Sequence, residues 1–165
     1  MSTESTRPLT GPRRDEREHE EFVDYVTMTI ADQLFGIPVL QVQDVLGHQR
    51  ITRIPLAPPE VAGSLNLRGR IVTAIDVRLR LGLEGKPRDD HDMSVVVDHE
   101  GELYSLMVDS VGEVLSVSSK TFERNPATLD PRWRDISVGI YRLDRTLLVV
   151  LDVSHLLNFS VQIAA

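Results

Sequence analysis

The chain has 165 residues, enough to bury roughly 70% of the surface that its unfolded form exposes, so it needs no covalent staple. It has no cysteine, which excludes disulfides and thiolate metal sites and fits a reducing compartment. With 25 acidic against 18 basic side chains, the average surface field repels phosphate backbones, so nucleic acid is not an expected partner.

The first segment, "MSTESTRPLTGPRRDEREHEEF", mixes charges with Pro8, Gly11 and Pro12 and lacks the apolar core of a signal peptide. It reads as a disordered lead over residues 1–21. No uncharged stretch approaches the roughly 20 apolar residues of a membrane helix, so no insertion in the bilayer is expected.

From Tyr25 the pattern alternates. Val26, Met28 and Ile30 against Tyr25, Thr27 and Thr29 predict a half-buried strand. Residues 37–45 read as a second strand in which Pro38 argues for an edge or a bulge. If regular, that strand turns Val39, Gln41, Gln43 and Val45 one way and Leu40, Val42 and Asp44 the other. "PPEVAGSL" is the best candidate for a short helix, because Pro58 or Pro59 suits a first turn where no N–H is needed. An apolar strand then ends on Asp76, and "GLEGKPRDDHD" follows as a polar loop. Val95, Val96 and Val97, a polar turn at 99–102 and the run to Val108 predict a hairpin. "RTLLVVLD" is a further β-rich run, ending on Asp152. Both aspartates precede segments with closely spaced leucines and are read as structural N-caps, each worth about 1 kcal/mol.

Two blocks repeat in the same order. Residues 35–46 match 104–115 at an offset of 69, pairing Val39 with Val108, Val42 with Val111, Asp44 with Glu113 and Val45 with Val114. Residues 71–81 match 147–157 at an offset of 76, pairing Asp76 with Asp152 and Val77 with Val153. Two matched blocks in the same order predict two copies of one β unit of roughly 70 residues, with chance similarity among Val-rich strands as the alternative.

Catalysis has no visible address. The nucleophile elbow, the phosphate-binding loops and the His-Glu-x-x-His zinc motif are all missing, and the five histidines lack ligand spacing. "DDHD" at 89–92 offers hard oxygens beside an imidazole, but its place in a polar loop favours a solvated linker. No enzyme activity, metal or cofactor is expected.

"PPEVAGSLNLRGRIVTAIDVRLRLGL" resembles the CheW family, the coupling proteins of bacterial chemotaxis. The likeness rests on Pro55, Pro58, Gly63, Asn66, Leu67, Arg68, Gly69, Asp76, Arg78, Leu81 and Gly82, and it extends over residues 22–158. It departs at Leu56 and Val77, and "FERNPATLDPRWRDI" matches loosely. The resemblance implies a mainly β fold of two tandem SH3-like five-stranded barrels with short helices. The two intertwined subdomains would span about 22–88 and 92–158, followed by a tail at 159–165. It further implies a cytoplasmic adaptor at the inner face of the membrane, joining chemoreceptor tips to the regulatory domain of the histidine kinase CheA. A coupling protein of twitching or surface sensing, or a small-ligand-binding barrel, are the alternatives.

By the same resemblance, Val42, Asp44, Asn66, Leu67, Arg68 and Gly69 belong to the receptor-binding surface. Physically, Asn66 can close a turn and Gly69 tolerates positive φ, so the two hold Arg68 in a fixed pose. Its guanidinium would then either engage the receptor tip from the groove between the barrels or pin one barrel to the other. Val42 and Asp44 are also matched within the repeat, which leaves a core role open. Phe122, Glu123 and Leu129 are the expected kinase contacts.

Overall fold

The computed structural model describes residues 21–158. The expected disordered lead and the tail at 159–165 lie outside them, apart from Glu21, whose carbonyl accepts a hydrogen bond from Ser119 N at 2.8 Å.

In the first half, β1 (Phe22–Ile30) and β2 (Gln33–Pro38) form a hairpin, and a single 3-10 turn at Val39–Gln41 leads into β3 (Val42–Leu46). A second hairpin joins β4 (Val61–Leu67) to β5 (Arg70–Asp76), and α1 (Val77–Arg80) follows. The second half repeats the plan with β6 (Met93–His99), β7 (Glu102–Val108) and β8 (Ser110–Ser118), then a 3-10 turn at Ser119–Thr121 and a stub, β9 (Phe122–Glu123). After α2 (Pro131–Arg134), β10 (Ser137–Arg142) and β11 (Leu147–Leu151) end in α3 (Val153–Leu156).

The strands make two sheets, ordered β8-β1-β2-β11-β10-β9 and β3-β6-β7-β5-β4. Each closes on itself. In the first, the edge strands β8 and β9 belong to one continuous segment. In the second, the chain beyond β3 returns as an isolated bridge from Thr52 to Ser64 of β4. Closure removes the unpaired edges that would otherwise template aggregation.

The repeat holds residue by residue. β2 and β11 pair in parallel with Leu34 opposite Leu148 and Gly36 opposite Val150. Moving 69 and 76 positions turns these pairs into Leu103 opposite Val72 and Ser105 opposite Ala74, which is the parallel pairing of β7 with β5. The bulges correspond as well: one lies between Val61 and Gly63, its twin between Ser137 and Gly139. Equivalent strands lie in opposite sheets, however. Each sheet takes the first two strands of one repeat and all the later strands of the other. The expected boundary near 88–92 therefore divides the repeats and does not divide the barrels, since β5 and β7 on either side of it are hydrogen-bonded neighbours.

This exchange explains the core. The largest buried cluster draws Met28 and Phe35 from one sheet and Val95 and Leu106 from the other, so it is shared. A smaller cluster fills each barrel, around Val72, Ala74 and Val96 in one and around Tyr25, Tyr141 and Leu148 in the other. β1 is thus covered on both faces from Tyr25 to Met28, where the alternation predicted a half-buried strand.

Two further expectations change. "PPEVAGSL" is no helix: Val61 to Leu67 forms β4, because Gly63 sits at a bulge against Thr52, where a Cβ would meet the Thr52 carbonyl oxygen at 2.2 Å. Residues 37–45 are not one strand, since the 3-10 turn interrupts them. Pro38 closes β2 opposite Tyr25 and lies two positions past Gly36, the last residue paired with β11, so the proline of this interior strand sits beyond the end of one ladder. Both aspartate caps form as expected: Asp76 Oδ1 accepts Leu79 N and Asp152 Oδ1 accepts His155 N, each at 3.2 Å.

Where α1 meets the other repeat, Arg78 grips Asp109 bidentately, with Nε to Oδ1 at 2.8 Å and Nη2 to Oδ2 at 2.7 Å. Asp109 Oδ2 also accepts Ala31 N at 2.9 Å, holding a hairpin turn in which Ala31 and Asp32 both have positive φ. The Arg78 guanidinium, aided by the Ala31 N–H, holds the Asp109 carboxyl below the usual carboxylate range.

We expect Gly63→Ala to destabilise the fold by about 2 kcal/mol or more in urea unfolding, because its Cβ would strike backbone. Gly69→Ala, with open space around it, should cost only about 1 kcal/mol. Asp109→Asn should cost about 1–3 kcal/mol at neutral pH. Because the folded pKa of Asp109 lies below its unfolded value, its contribution is complete above about pH 4 and is lost as pH falls through the folded pKa. The gap between wild type and Asp109→Asn should therefore narrow on acidification below about pH 4.

Candidate docking site

The turn between β4 and β5 consists of Arg68 (φ 51°) and Gly69 (φ 86°), both left-handed, which is the two-residue hairpin geometry that matches strand twist. Asn66 Oδ1 accepts Gly69 N at 2.9 Å, the expected side-chain closure. Arg68 itself also adopts positive φ, a strain that the repeat gave no reason to anticipate.

The turn carries Arg68 to Asp44, and Nη2 lies 3.1 Å from Oδ2. β3 and β4 are the two outermost strands of their sheet. The ion pair therefore spans the seam along which the barrel closes. Of the alternatives for Arg68, the inter-barrel pin is excluded, since Asp44 belongs to the same sheet. The Arg68 side chain remains 78% exposed and keeps donors free of Asp44's two oxygens, while Asp44 is 27% exposed and also accepts Val45 N.

Val42 and Asp44 are adjacent in the ladder because a bulge at Gln43 separates them, so Val42 faces Val97 and Asp44 faces Val96. Val42 is half-buried against the shared core. The exposed apolar group on β3 is Val45, and Ile71 stands exposed just beyond the Arg68 turn. Leu67 packs against the smaller barrel cluster and presents little to a partner. The structure thus brings Asp44, Asn66, Arg68 and Gly69 into one corner, with Val42 and Leu67 supporting it from below.

The expected kinase contacts separate. Phe122 is partly exposed and meets Tyr141 edge-on, with ring centroids 5.3 Å apart. Glu123 forms a surface ion pair with Arg142 Nε at 2.9 Å. Leu129 is only 7% exposed and belongs to the shared core, so it cannot serve as a surface contact.

Among the described residues no three His, Asp or Glu side chains converge on a point that could hold a metal ion. In the 89–92 loop, Asp89 accepts His91 N and Asp92 accepts Asp89 N, so these carboxylates close a turn. Asp109 is held charged by Arg78, and Asp130 by Arg132, well away from the neutral poise of a general acid. Burial and the hydrogen bond shared with the Tyr141 hydroxyl push the Tyr25 hydroxyl upwards. No helix among the described residues is long and apolar enough to cross a membrane.

The family model for the CheW-like domain matches residues 24–160. The chain belongs to the CheW-like family. Chemotaxis protein CheW of Klebsiella aerogenes is 27% identical over 135 residues, covering 82% of this chain and 81% of that protein. Chemotaxis protein CheW of Helicobacter pylori is 25% identical over 143 residues, covering 87% and 86%. The crystal structure of scaffolding protein TtCheW from Thermoanaerobacter tengcongensis matches with a TM-score of 0.72 at 27% identity, covering 80% of this chain and 90% of that one. The match to this CheW structure spans both barrels, and with the family model it supports the mainly β, two-barrel reading of the sequence.

In this CheW-like chain the exposed Arg68 pair is a weak prop, because water screens it. A double-mutant cycle of Asp44→Ala and Arg68→Ala should give a coupling energy within about 1 kcal/mol in urea unfolding.

Proposed function

We propose that this CheW-like protein is a non-enzymatic chemotaxis adaptor that joins chemoreceptor tips to the regulatory domain of the histidine kinase CheA. On this reading it works in the cytoplasm, within receptor arrays at the inner face of the membrane. The relatives are called chemotaxis proteins and the matched structure a scaffolding protein, which supports the general assignment. The observation that carries the receptor contact is the corner formed by Arg68, Asp44 and Asn66. A rigid turn presents a mostly exposed guanidinium beside exposed Val45 and Ile71, and such a fork suits a carboxylate or a fan of backbone carbonyls. Phe122 and Glu123 are retained as kinase contacts, and Leu129 is dropped.

An adaptor of this kind tolerates modest single interfaces, since attachment to several partners in an array raises effective concentration. Binding of the purified chain to a receptor-tip fragment and to the CheA regulatory domain tests the proposal. Arg68→Ala and Val45→Lys should each weaken the receptor-tip interaction roughly tenfold or more while leaving kinase-domain binding within about twofold. Unchanged receptor binding in both variants would reject the corner as the contact. Failure of the wild type to bind either partner would reject the function.

A further inference from the structure

The two barrels are filled differently at one equivalent place. In the first, Tyr25 pairs with Pro38 and Tyr141 with Leu148, and the buried Tyr25 and Tyr141 hydroxyls lie 3.1 Å apart. The repeat offsets carry these pairs to Ser94 with Met107 and to Leu65 with Val72, which are the pairs observed in the second barrel. A serine and a leucine thus stand where the twin barrel has two tyrosines.

The neighbouring position changes in the same sense. Gly36 has little room for a side chain, since a Cβ there would lie 3.0 Å from Leu148 Cδ1 and 3.3 Å from Tyr25 Cβ. Its counterpart is Ser105, and the two residues that crowd Gly36 are replaced around it by the smaller Val72 and Ser94. The serine side chain uses only part of the room released. A hollow of about 20 Å³ remains, lined by Ser94, Ser105, Leu65 and Met107 and, nearer solvent, by Arg88 and Asp92.

This hollow is polar inside. Ser105 is 1% exposed, and among the described residues its Oγ is the one buried side-chain oxygen or nitrogen without a hydrogen-bond partner in the protein. Ser94 is buried too and brings a second hydroxyl to the same hollow. A buried hydroxyl left unbonded is costly enough that native structures nearly always satisfy it. Room of this size admits a single water and is far too small for an organic ligand.

We propose that the second barrel holds one internal water, which accepts a hydrogen bond from the Ser105 hydroxyl and donates one to the Ser94 hydroxyl. Arg88 and Asp92 offer it further polar groups towards solvent. The bridge takes the place that the Tyr25–Tyr141 hydroxyl contact has in the first barrel: the same interior position stays polar in both, closed by long side chains in one and by a water in the other. The inference does not depend on the adaptor reading.

Replacing Ser105 in the full-length protein tests this by sign. With the water in place, Ser105→Ala removes a satisfied hydroxyl and leaves the water short of a partner, so the unfolding equilibrium constant extrapolated from urea should rise roughly fivefold. An orphaned hydroxyl would make the same change neutral or stabilising. Ser94→Ala acts through the same water, so the double variant of Ser94→Ala with Ser105→Ala should lose less than the two single losses combined. Magnetic relaxation dispersion of the solvent, which counts long-lived waters, should find one more in the wild type than in the double variant. A high-resolution crystal structure should show a water within about 3 Å of both hydroxyls. A neutral or stabilising Ser105→Ala, an unchanged water count, or a Ser105 hydroxyl turned onto a protein carbonyl would overturn the proposal.

Discussion

The whole architecture depends on two parallel strand pairings, β2 beside β11 and β5 beside β7. Parallel neighbours cannot be joined by a tight turn, so each pairing commits distant parts of the chain to one sheet. Here each commits one repeat to complete the barrel of the other. Neither repeat holds a sheet of its own, and the largest apolar cluster forms between the sheets where the exchanged strands meet. Closure of each barrel and burial of both faces of β1 follow from that exchange.

The docking corner inherits its rigidity from the same source. Asp44 lies on a strand at one end of a sheet and Arg68 in the turn at the other end, and they meet only because the sheet curls round far enough to close. The tight turn and the Asn66 closure then fix where the guanidinium points. A surface built in this way presents charge without much loss of side-chain freedom on binding, which suits recognition better than catalysis. Arg78 uses the same guanidinium chemistry for the opposite purpose. Shielded on α1 and satisfied by both oxygens of Asp109, it fastens the two repeats together.

Much of this was legible in the sequence, and the reasons are physical. The offsets of 69 and 76 carry into the register of both parallel pairs because bulges and pairings are conserved between repeats as backbone geometry, and the Val and Gly positions record that geometry. Asp76 and Asp152 were legible as caps because capping is local. The misreadings share the opposite cause. Leu129 was expected as a kinase contact by resemblance alone, yet it lies just before α2 and packs into the shared core. "PPEVAGSL" looked helical by proline placement, yet the partner strand β5 decides its state. Arg68's partner could not be read at all, since Asp44 is 24 positions away on a strand that only sheet closure brings near. The exchange itself leaves no local signature, because each strand has the same pattern whichever barrel receives it.

The placement of β11 between β2 and β10 bears on how the molecule comes into being. β2 is among the first strands to leave the ribosome and its parallel neighbour is among the last, so the edge of the opening hairpin stays unsatisfied while more than a hundred further residues are added. During that interval the nascent chain displays an open strand edge that can template pairing with another chain until β11 arrives to cover it.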